Sequence, residues 1–251
     1  MLEAHVLTAF IPSVEHAILI GDHLQLRATI SRHDLSMENP MGRKYGLDES
    51  LFERLADGPL EEFGGATFPI AKLDVQRRMH PSIASLVRDT LYPELRDHAA
   101  THDYPEVMGM RNRLFWLDHR HREDSGAQDG PMQTSKTNEW EAEIVVSLVK
   151  HLVRQGAYHR KEDIAVLTPY LGQLRKLRQK FSTTFDLVIG EKDMKEIEIQ
   201  ERDEMLAGKP KEPQPENKIR KGKLVDAIRI ATVDNFQGEC RCNPRRDFGR
   251  S

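Results

Sequence analysis

Two adjacent arginines, Arg77 and Arg78, lie just ahead of a segment whose sequence can begin a helix at Pro81. Proline suits the first helical turn, where its missing N–H removes no hydrogen bond. The planar, permanently charged guanidinium suits phosphate oxygens, and backbone N–H groups at a helix start favour anions. The residues alone therefore allow two interpretations, a phosphate-binding turn or a solvent-exposed basic loop.

Polar residues follow predicted strands at three further places. Apolar runs at 17–20 and 164–167 are typical of parallel strands buried on both faces, and another strand is predicted over 227–234. In open α/β sheets, ligands bind beyond the carboxyl ends of the strands. The polar residues at these ends are Gly21 to Gln25, Thr168 to Tyr170, and Asn235 to Glu239. Ordinary turns are the alternative at the first two places.

Helices with a clear apolar periodicity must position these polar ends. Helices are predicted over 2–11 and 171–181, after Ser50, after Pro81, and between Asn138 and Gly156. The spacing defines the apolar faces of two of these predicted helices. They are Ile83, Leu86, Val87 and Leu91 after Pro81, and Trp140, Ile144, Val145, Leu148, Leu152 and Val153 after Asn138. With a further strand candidate at 114–117, the pattern predicts an α/β fold with a parallel sheet and helices on both faces.

The bulk composition limits the possible functions. The chain has 251 residues, of which 38% are hydrophobic and 31% charged, with a formal net charge of −3. No overall basic field favours nucleic acid, so any such binding must use a local groove. The sequence contains no apolar run near the ~20 residues that a membrane span needs, and no signal-peptide pattern. We expect an intracellular protein of the nucleus or cytoplasm.

Cysteine and histidine offer weak metal candidates. Cys240 and Cys242 are the two cysteines, which predicts a reducing compartment rather than a disulfide framework. A structural zinc site needs four ligands, and neither this pair nor the pair of His119 and His121 has further ligands nearby. A solvated loop is therefore favoured over a metal site at the histidines, and a metal or redox protein is the weakest of the function classes.

Residues 190–223 interrupt the pattern with dense charge and a Pro-rich segment. Such a composition buries too little apolar area to balance the entropy of ordering. We predict an insertion between two core elements, whose first half, 193–206, forms a solvent-facing helix with charge pairs. A basic nucleic-acid-binding arm is the alternative, but acidic residues are mixed evenly among the basic ones.

Taken together, four segments resemble motifs of superfamily 1 helicases of the up-frameshift type, in the family's order. They are Gly21-Asp22-His23-Leu24-Gln25-Leu26, Gln76-Arg77-Arg78-Met79-His80-Pro81, Thr168-Pro169-Tyr170-Leu171-Gly172-Gln173, and Thr232-Val233-Asp234-Asn235-Phe236-Gln237-Gly238-Glu239. The family's usual form of the second is Gln-Tyr-Arg-Met-His-Pro, so Arg77 replaces an aromatic residue. The sequences at 21–27 and 50–55 are most similar to those of zinc-finger-bearing helicases linked to RNA silencing.

The resemblance implies a RecA-like P-loop NTPase fold that is incomplete at both ends. Residues 1–60 would be the remnant of a first RecA-like domain, and 61–239 most of a second one that carries the insertion at 190–223. The hinge would fall near 56–72. Residues 240–251 contain four arginines and a proline where the family has a buried strand, so this tail looks non-native.

The resemblance also implies roles for individual residues. Arg78 would be the arginine finger on the nucleotide's terminal phosphate and Gln25 the sensor of the γ-phosphate. Gly238 and Glu239 would lie beside the nucleotide. Gln25, Arg78 and Glu239 would then converge on one cleft. The residues implied to contact the nucleic-acid strand are Thr168, Pro169 and Thr232.

These roles describe an ATP-dependent helicase acting on single-stranded RNA or DNA, with ATP and Mg²⁺ as cofactors of the full-length parent and RNA-silencing proteins as possible partners. The sequence holds no Gly-x-x-x-x-Gly-Lys-Ser/Thr loop, no acidic pair ahead of residue 17, and no sixth motif. Phosphoryl transfer depends on that loop and Mg²⁺. We therefore expect this chain to bind ATP poorly and not to hydrolyse it. The alternative is a non-catalytic module that binds nucleic acid or protein.

Overall fold

The computed structural model describes residues 1–30, 32–57, 69–124, 136–158, 160, 163–182, 185, 187–206 and 228–236. The chain divides into two compact units, Met1–His102 and Asp103–Ser251. The predicted tail and the second half of the predicted insertion lie outside the described residues. The domain boundary near residue 60 stays a prediction.

The described residues of the first unit form three helices and two short strands. The helices are α1, Glu3–Leu7; α2, Leu51–Asp57; and α3, Pro81–Thr90, and the strands are β1, Val75–Gln76, and β2, Arg96–Asp97. The two strands are parallel, with Val75 opposite Arg96 and Gln76 opposite Asp97. Single 3₁₀ turns occur at His33–Leu35, Gly42–Lys44 and Ala99–Thr101. The helix predicted over 2–11 is therefore shorter than expected.

Helix α3 begins at Pro81, as predicted, and the ring of His80 caps it by accepting from the Ser82 N–H at 3.2 Å. The fully buried residue of α3 is Ala84. The prediction that Leu86 and Leu91 are buried is wrong, because about half of each residue's surface is exposed. The described sheet of this unit has two strands of two residues each, which is too little surface to cover a whole helix face.

Two predicted strands are absent from the described sheets. The run 17–20 forms neither helix nor strand, and Ile18 and Ile20 are 86% and 94% exposed. The run 114–117 likewise forms neither, with Trp116 88% exposed. A strand needs neighbours to satisfy its backbone groups. No described strand lies beside either run, so apolar composition alone did not produce a strand.

Where the structure describes the second unit, it forms a three-stranded parallel sheet and four helices. The strands are β3, Ala165–Thr168; β4, Leu187–Val188; and β5, Ile228–Thr232, and the helices are α4, Glu139–Arg154; α5, Leu171–Ser182; α6, Glu191–Leu206; and α7, Val233–Phe236. The strand order is β3-β5-β4, so the strand that comes last in sequence is central. Parallel strands alternating with helices confirm the predicted α/β class.

One hydrophobic core holds the second unit together. It collects residues from α4, α5, α6 and all three strands. Its buried members are Ala142, Val146, Val149, Val153, Val166, Leu174, Leu177, Phe181, Phe185, Ile197, Ile228 and Ile230. The predicted strands at 164–167 and 227–234 are confirmed with shifted ends, since residues 233–234 already belong to α7.

Helix α4 has the predicted cap but a different inner face. Asn138 accepts from the Glu141 N–H at 3.1 Å, as the capping pattern predicted. The buried side chains of α4 are Ala142, Val146, Val149 and Val153. Of the six residues predicted for the inner face, Val153 is the one in this buried set. Trp140 packs on histidine rings instead of entering the core.

Helix α6 confirms that the first half of the predicted insertion is helical. The prediction that it faces solvent throughout is wrong, because Asp193 and Ile197 are 0% and 1% exposed. These residues are four apart and therefore share one face of the helix. A narrow inward stripe on an otherwise charged helix was too weak a periodic signal to recognise from sequence.

Candidate nucleic-acid interface

The structure brings together two of the three residues predicted to contact nucleic acid. Thr168 ends β3 and Thr232 ends β5, and these strands are parallel neighbours. The register pairs the two threonines directly. Both side chains are largely buried at the carboxyl edge of the sheet, where α/β folds place their ligands.

The third predicted residue, Pro169, lies in an exposed turn at the same edge. The Thr168 hydroxyl oxygen accepts from the Tyr170 N–H at 3.3 Å, which closes the turn between β3 and α5. Pro169 and Tyr170 are exposed. The turn therefore presents a rigid proline and an aromatic ring beside a hydroxyl, and such aromatic rings can stack on unpaired bases.

Thr232 has a partner that the sequence did not indicate. Its hydroxyl donates to the Asp193 Oδ1 at 2.6 Å, and its backbone N–H donates to the Asp193 Oδ2 at 3.2 Å. The Asn235 side-chain amide donates to the same Oδ1 at 2.8 Å. A single carboxylate on α6 thus receives three hydrogen bonds from the end of β5 and the start of α7. A lone aspartate in a charged segment gave no warning of this contact.

Gln173, part of the third family-like motif, has a structural contact in this chain. Its side-chain oxygen accepts from the Asn138 N–H at 2.8 Å, and its side-chain amide donates to the Asn138 carbonyl at 3.0 Å. Both groups are buried. This reciprocal pair satisfies the backbone of the residue that caps α4. Gln173 therefore fixes α5 against the start of α4.

The lysines of α5 are paired with carboxylates. Lys176 contacts Asp124 at 2.6 Å and Glu139 at 3.0 Å, and Lys180 pairs with Glu139 and Glu143. Hydrogen bonds from Lys180 and Lys176 hold the pKa of Glu139 below its ordinary value, and the bond to Glu139 raises the pKa of Lys180. A nucleic-acid phosphate would have to compete with these carboxylates for either lysine.

In the first unit, Arg78 lies on a turn that Gln76 braces. The Gln76 side-chain oxygen accepts from the backbone N–H groups of Arg78 and Met79 at 2.8 and 2.7 Å. Its amide donates to the Met79 carbonyl at 2.7 Å and to Asp97 at 2.8 Å. Arg78 itself is exposed. One glutamine therefore shapes the turn that presents the predicted arginine finger.

Gln25 lies in a second polar cluster of the first unit. Its side-chain amide donates to the Asp22 Oδ2 at 2.7 Å, and the Tyr92 hydroxyl donates to the same oxygen at 2.8 Å. Partial burial opposes ionisation of Asp22, but the hydrogen bonds from Tyr92, Gln25 and the Leu24 N–H outweigh it, so its pKa lies below the ordinary value. Burial and the bond to Asp22 raise the pKa of Tyr92 to about 12.

The nucleotide-contacting set is not assembled within the described residues. Gly238 and Glu239 lie outside them, so their approach to Gln25 and Arg78 stays a prediction. Within the described ranges, no group of three or more histidine, cysteine or acidic side chains is arranged to hold a metal ion. Cys240 and Cys242 are also outside the described residues.

His119 and His121 form an aromatic cluster with Trp140. The His121 ring stacks on the Trp140 ring at a centroid distance of 4.0 Å, and His119 lies 4.7 Å from the same ring. His119 also contacts Glu141 at 3.2 Å. His121 is exposed and His119 partly exposed in a segment without helix or strand, so the predicted solvated loop is confirmed. The rings also pack against Trp140 of α4. No described helix is long and apolar enough to cross a membrane.

Comparison with known proteins provides independent evidence. A family model described as an AAA domain matches residues 47–241. The NFX1-type zinc finger-containing protein 1 homolog of Caenorhabditis elegans is 35% identical over 186 residues, which is 74% of this chain and 7% of that protein. The helicase required for RNAi-mediated heterochromatin assembly 1 of Schizosaccharomyces pombe is 36% identical over 174 residues, which is 69% of this chain and 15% of that protein.

A third relative is less similar in sequence and is also matched over a small part of its length. The regulator of nonsense transcripts 1 homolog of Neurospora crassa is 29% identical over 167 residues, covering 63% of this chain and 13% of that protein. The chain thus spans between 7% and 15% of the length of these three relatives.

Proposed function

This chain belongs to the superfamily 1 helicases of the up-frameshift type, related to the RNA-silencing helicases, and we propose that it binds single-stranded nucleic acid as part of an ATP-driven motor. RNA is the favoured strand, because the names of two relatives refer to RNAi and to nonsense transcripts. DNA is the alternative substrate. Proteins of an RNA-silencing complex are the partners that the same relatives suggest.

The observation that carries the proposal is the register of Thr168 with Thr232. Two hydroxyl-bearing residues at the ends of adjacent parallel strands, next to the exposed turn at Pro169, form a short polar edge. Hydroxyl and backbone N–H groups are common ligands of nucleic-acid phosphates. The Tyr170 ring lies in the same turn and can stack on a base, since stacking accepts any base.

The motor chemistry itself is assigned to the longer parent. There, bound ATP would supply the phosphoryl group and Mg²⁺ would neutralise charge on its phosphates. No step through them is assigned to the residues of this chain. The residues of this chain hold two candidate phosphate-contacting side chains in place. Gln76 holds the turn that carries Arg78, and Asp22 holds the side chain of Gln25. Both residues are offered from the first unit, and we propose that they contact the nucleotide's phosphates when the remaining motifs are present.

The chain alone is proposed to be inactive as an ATPase. The phosphate loop and its lysine position the β- and γ-phosphates in this class of enzyme, and the printed sequence contains neither. The second candidate function, a non-catalytic nucleic-acid- or protein-binding module, is favoured by the same observation. The two candidates share the nucleic-acid interface and differ in whether the motor motifs belong to the working protein.

Tyr170→Ala tests the interface. We expect fluorescence anisotropy to detect binding of a labelled 12-nucleotide oligouridine by the 251-residue chain, and the variant to bind about tenfold more weakly, because base–aromatic stacking contributes roughly 1–3 kcal/mol. Tyr45→Ala is the matched control, since Tyr45 is also exposed but lies outside this turn. Equal affinity of all three proteins would remove the turn from the interface.

The same protein tests the second part. Phosphate release should stay at background when ATP, Mg²⁺ and saturating oligouridine are added. Turnover by this chain would contradict the proposed inactivity. Binding that is unchanged by ATP is expected from both candidates, because this chain alone is proposed to bind ATP poorly.

A further inference from the structure

The contact between α6 and the end of β5 uses the groups that the proposed interface needs. Asp193 is fully buried and accepts the hydroxyl proton of Thr232 as well as its backbone N–H. A hydroxyl has one proton to donate. A phosphate oxygen that reached Thr232 would therefore have to take both donors away from the carboxylate.

Charge makes the two ligands exclusive. The Asp193 carboxylate is an anion enclosed beside Thr232, and a phosphate placed at the same donors would be repelled by it at short range in a poorly solvated site. The Asn235 side-chain amide also donates to this carboxylate, at 2.8 Å. Asp193 thus holds three donors at the end of β5 and the start of α7, and all three become available together if α6 moves away.

The inward stripe of α6 is unusual for a permanent core helix. Asp193, Ile197 and Gln200 lie at positions i, i+4 and i+7, so they share one face. Ile197 is the one apolar member, and it joins the core. The Gln200 side-chain oxygen is buried and finds no hydrogen-bond partner among the described residues. Docking therefore leaves a polar group unsatisfied, which weakens the attachment of the helix.

We propose that α6 is a detachable cover that closes the nucleic-acid interface at Thr232. In the docked state Asp193 occupies the donors of Thr232, and in the released state those donors bind a phosphate of single-stranded RNA. The segment that interrupts the family pattern would then regulate access to the strand-binding edge. The inference rests on the proposed function, because it assumes that nucleic acid reaches Thr232.

Asp193→Asn tests the cover with little change in shape. The variant keeps the size of the side chain but removes the anion and places an amide where oxygens accepted hydrogen bonds. We expect it to bind the 12-nucleotide oligouridine at least fivefold more tightly than the unaltered chain. Asp203→Asn is the matched control, because it makes the same charge change at an exposed position of the same helix. The control should change affinity less than twofold.

A second variant acts without touching the charge. Ile197→Ala removes the apolar anchor of α6 and leaves Asp193 in place, so it should also tighten RNA binding. Far-UV circular dichroism during heating checks that each variant is folded. If Ile197→Ala does not fold, the comparison of Asp193→Asn with Asp203→Asn decides the matter alone.

Hydrogen exchange provides a readout in the unaltered chain. Oligouridine should increase exchange in 191–206, because binding releases the helix. Unchanged or slower exchange there on binding, or unchanged or weaker RNA affinity of Asp193→Asn, would overturn the cover. If the chain binds RNA through Tyr170 and these tests fail, the cover alone is wrong. If neither the chain nor any variant binds RNA, the proposed function is wrong, and so is the proposal that α6 covers the interface.

Discussion

The two units hold their candidate residues by different means. In Asp103–Ser251, the strand ends at Thr168 and Thr232 are fixed by a sheet whose described core joins α4, α5 and α6 with β3 and β5. In Met1–His102, the fully buried apolar residues of the described ranges are Leu51 and Ala84. The difference teaches that a hydrophobic core can place residues distant in sequence side by side, whereas the first unit relies on polar contacts.

Most of those polar contacts in the first unit are short in sequence. Ser36 donates to Asp48 at 3.1 Å, and the Met37 N–H donates to the same carboxylate at 2.9 Å. Arg88 pairs with Asp97 at 2.5 Å. The ion pair of Arg88 and Asp97 is partly exposed, and such pairs contribute little each, commonly below about 1 kcal/mol, whereas Ser36 and Asp48 are buried. We therefore expect the first unit to tolerate loss of single apolar side chains and the second unit not to.

The largest test of this comparison is Phe181→Ala. Phe181 is fully buried in the core of the second unit, and truncating such a ring should lower the free energy of unfolding by about 3–5 kcal/mol. Ile18→Ala in the first unit should change it by less than about 0.5 kcal/mol, because Ile18 is exposed. Urea unfolding followed by circular dichroism measures both. Similar effects of the two substitutions would show that the contrast between the units is not real.

A smaller effect is expected for Gln173→Ala. The substitution removes both hydrogen bonds to the Asn138 backbone and leaves those buried groups unpaired, which should lower the free energy of unfolding by about 1–3 kcal/mol. Gln179→Ala, at an exposed position of the same helix, is the control and should be nearly neutral. If the two variants unfold at the same urea concentration, Gln173 does not brace α4.

The smallest effect is expected for Tyr92→Phe in the first unit, about 0.5–1.5 kcal/mol at pH 7 for one hydrogen bond. Because the pKa of Tyr92 is raised from 10.0 to about 12, the stability that this bond gives is complete below pH 10 and is lost as the pH rises through 12. Because the pKa of Asp22 is lowered, its contribution is complete above its ordinary value of 3.8 and is lost as the pH falls further.

The difference in unfolding free energy between the unaltered chain and Tyr92→Phe should therefore be largest between about pH 5 and 9 and shrink on either side. Tyr45→Phe removes an exposed phenol and serves as the control. A difference that stays constant from pH 7 to pH 12 would mean that Tyr92 and Asp22 are not bonded.

The sequence predicted those features that depend on local pattern. The helix start at Pro81, the Asn138 cap and the two strands that meet at Thr168 and Thr232 all follow from short-range rules. The runs 17–20 and 164–167 are both wholly apolar. The second overlaps β3, which pairs with β5, whereas the first has no strand beside it among the described residues. Composition cannot reveal whether a neighbour is present.

Side-chain partners across long separations were also beyond prediction. Asp193 meets Thr232 although they are 39 residues apart, and Gln173 meets Asn138 across 35. Each contact depends on how the core orients two elements. A polar side chain can face solvent or bond to a backbone group far along the chain. Its spacing in the sequence does not show which of the two it does. The candidate site was therefore predictable as a set of strand ends and not as a network of contacts.

The central position of β5 has a consequence for synthesis of the protein. The ribosome makes β3 and β4 first, and neither can pair with the other, because β5 separates them in the sheet. At roughly 5–20 residues per second, several seconds pass before Ile228–Thr232 emerges. During that interval β3 and β4 lack the strand that they pair with in the folded sheet. We therefore expect the nascent chain to bind chaperones or aggregate more readily until β5 has been synthesised.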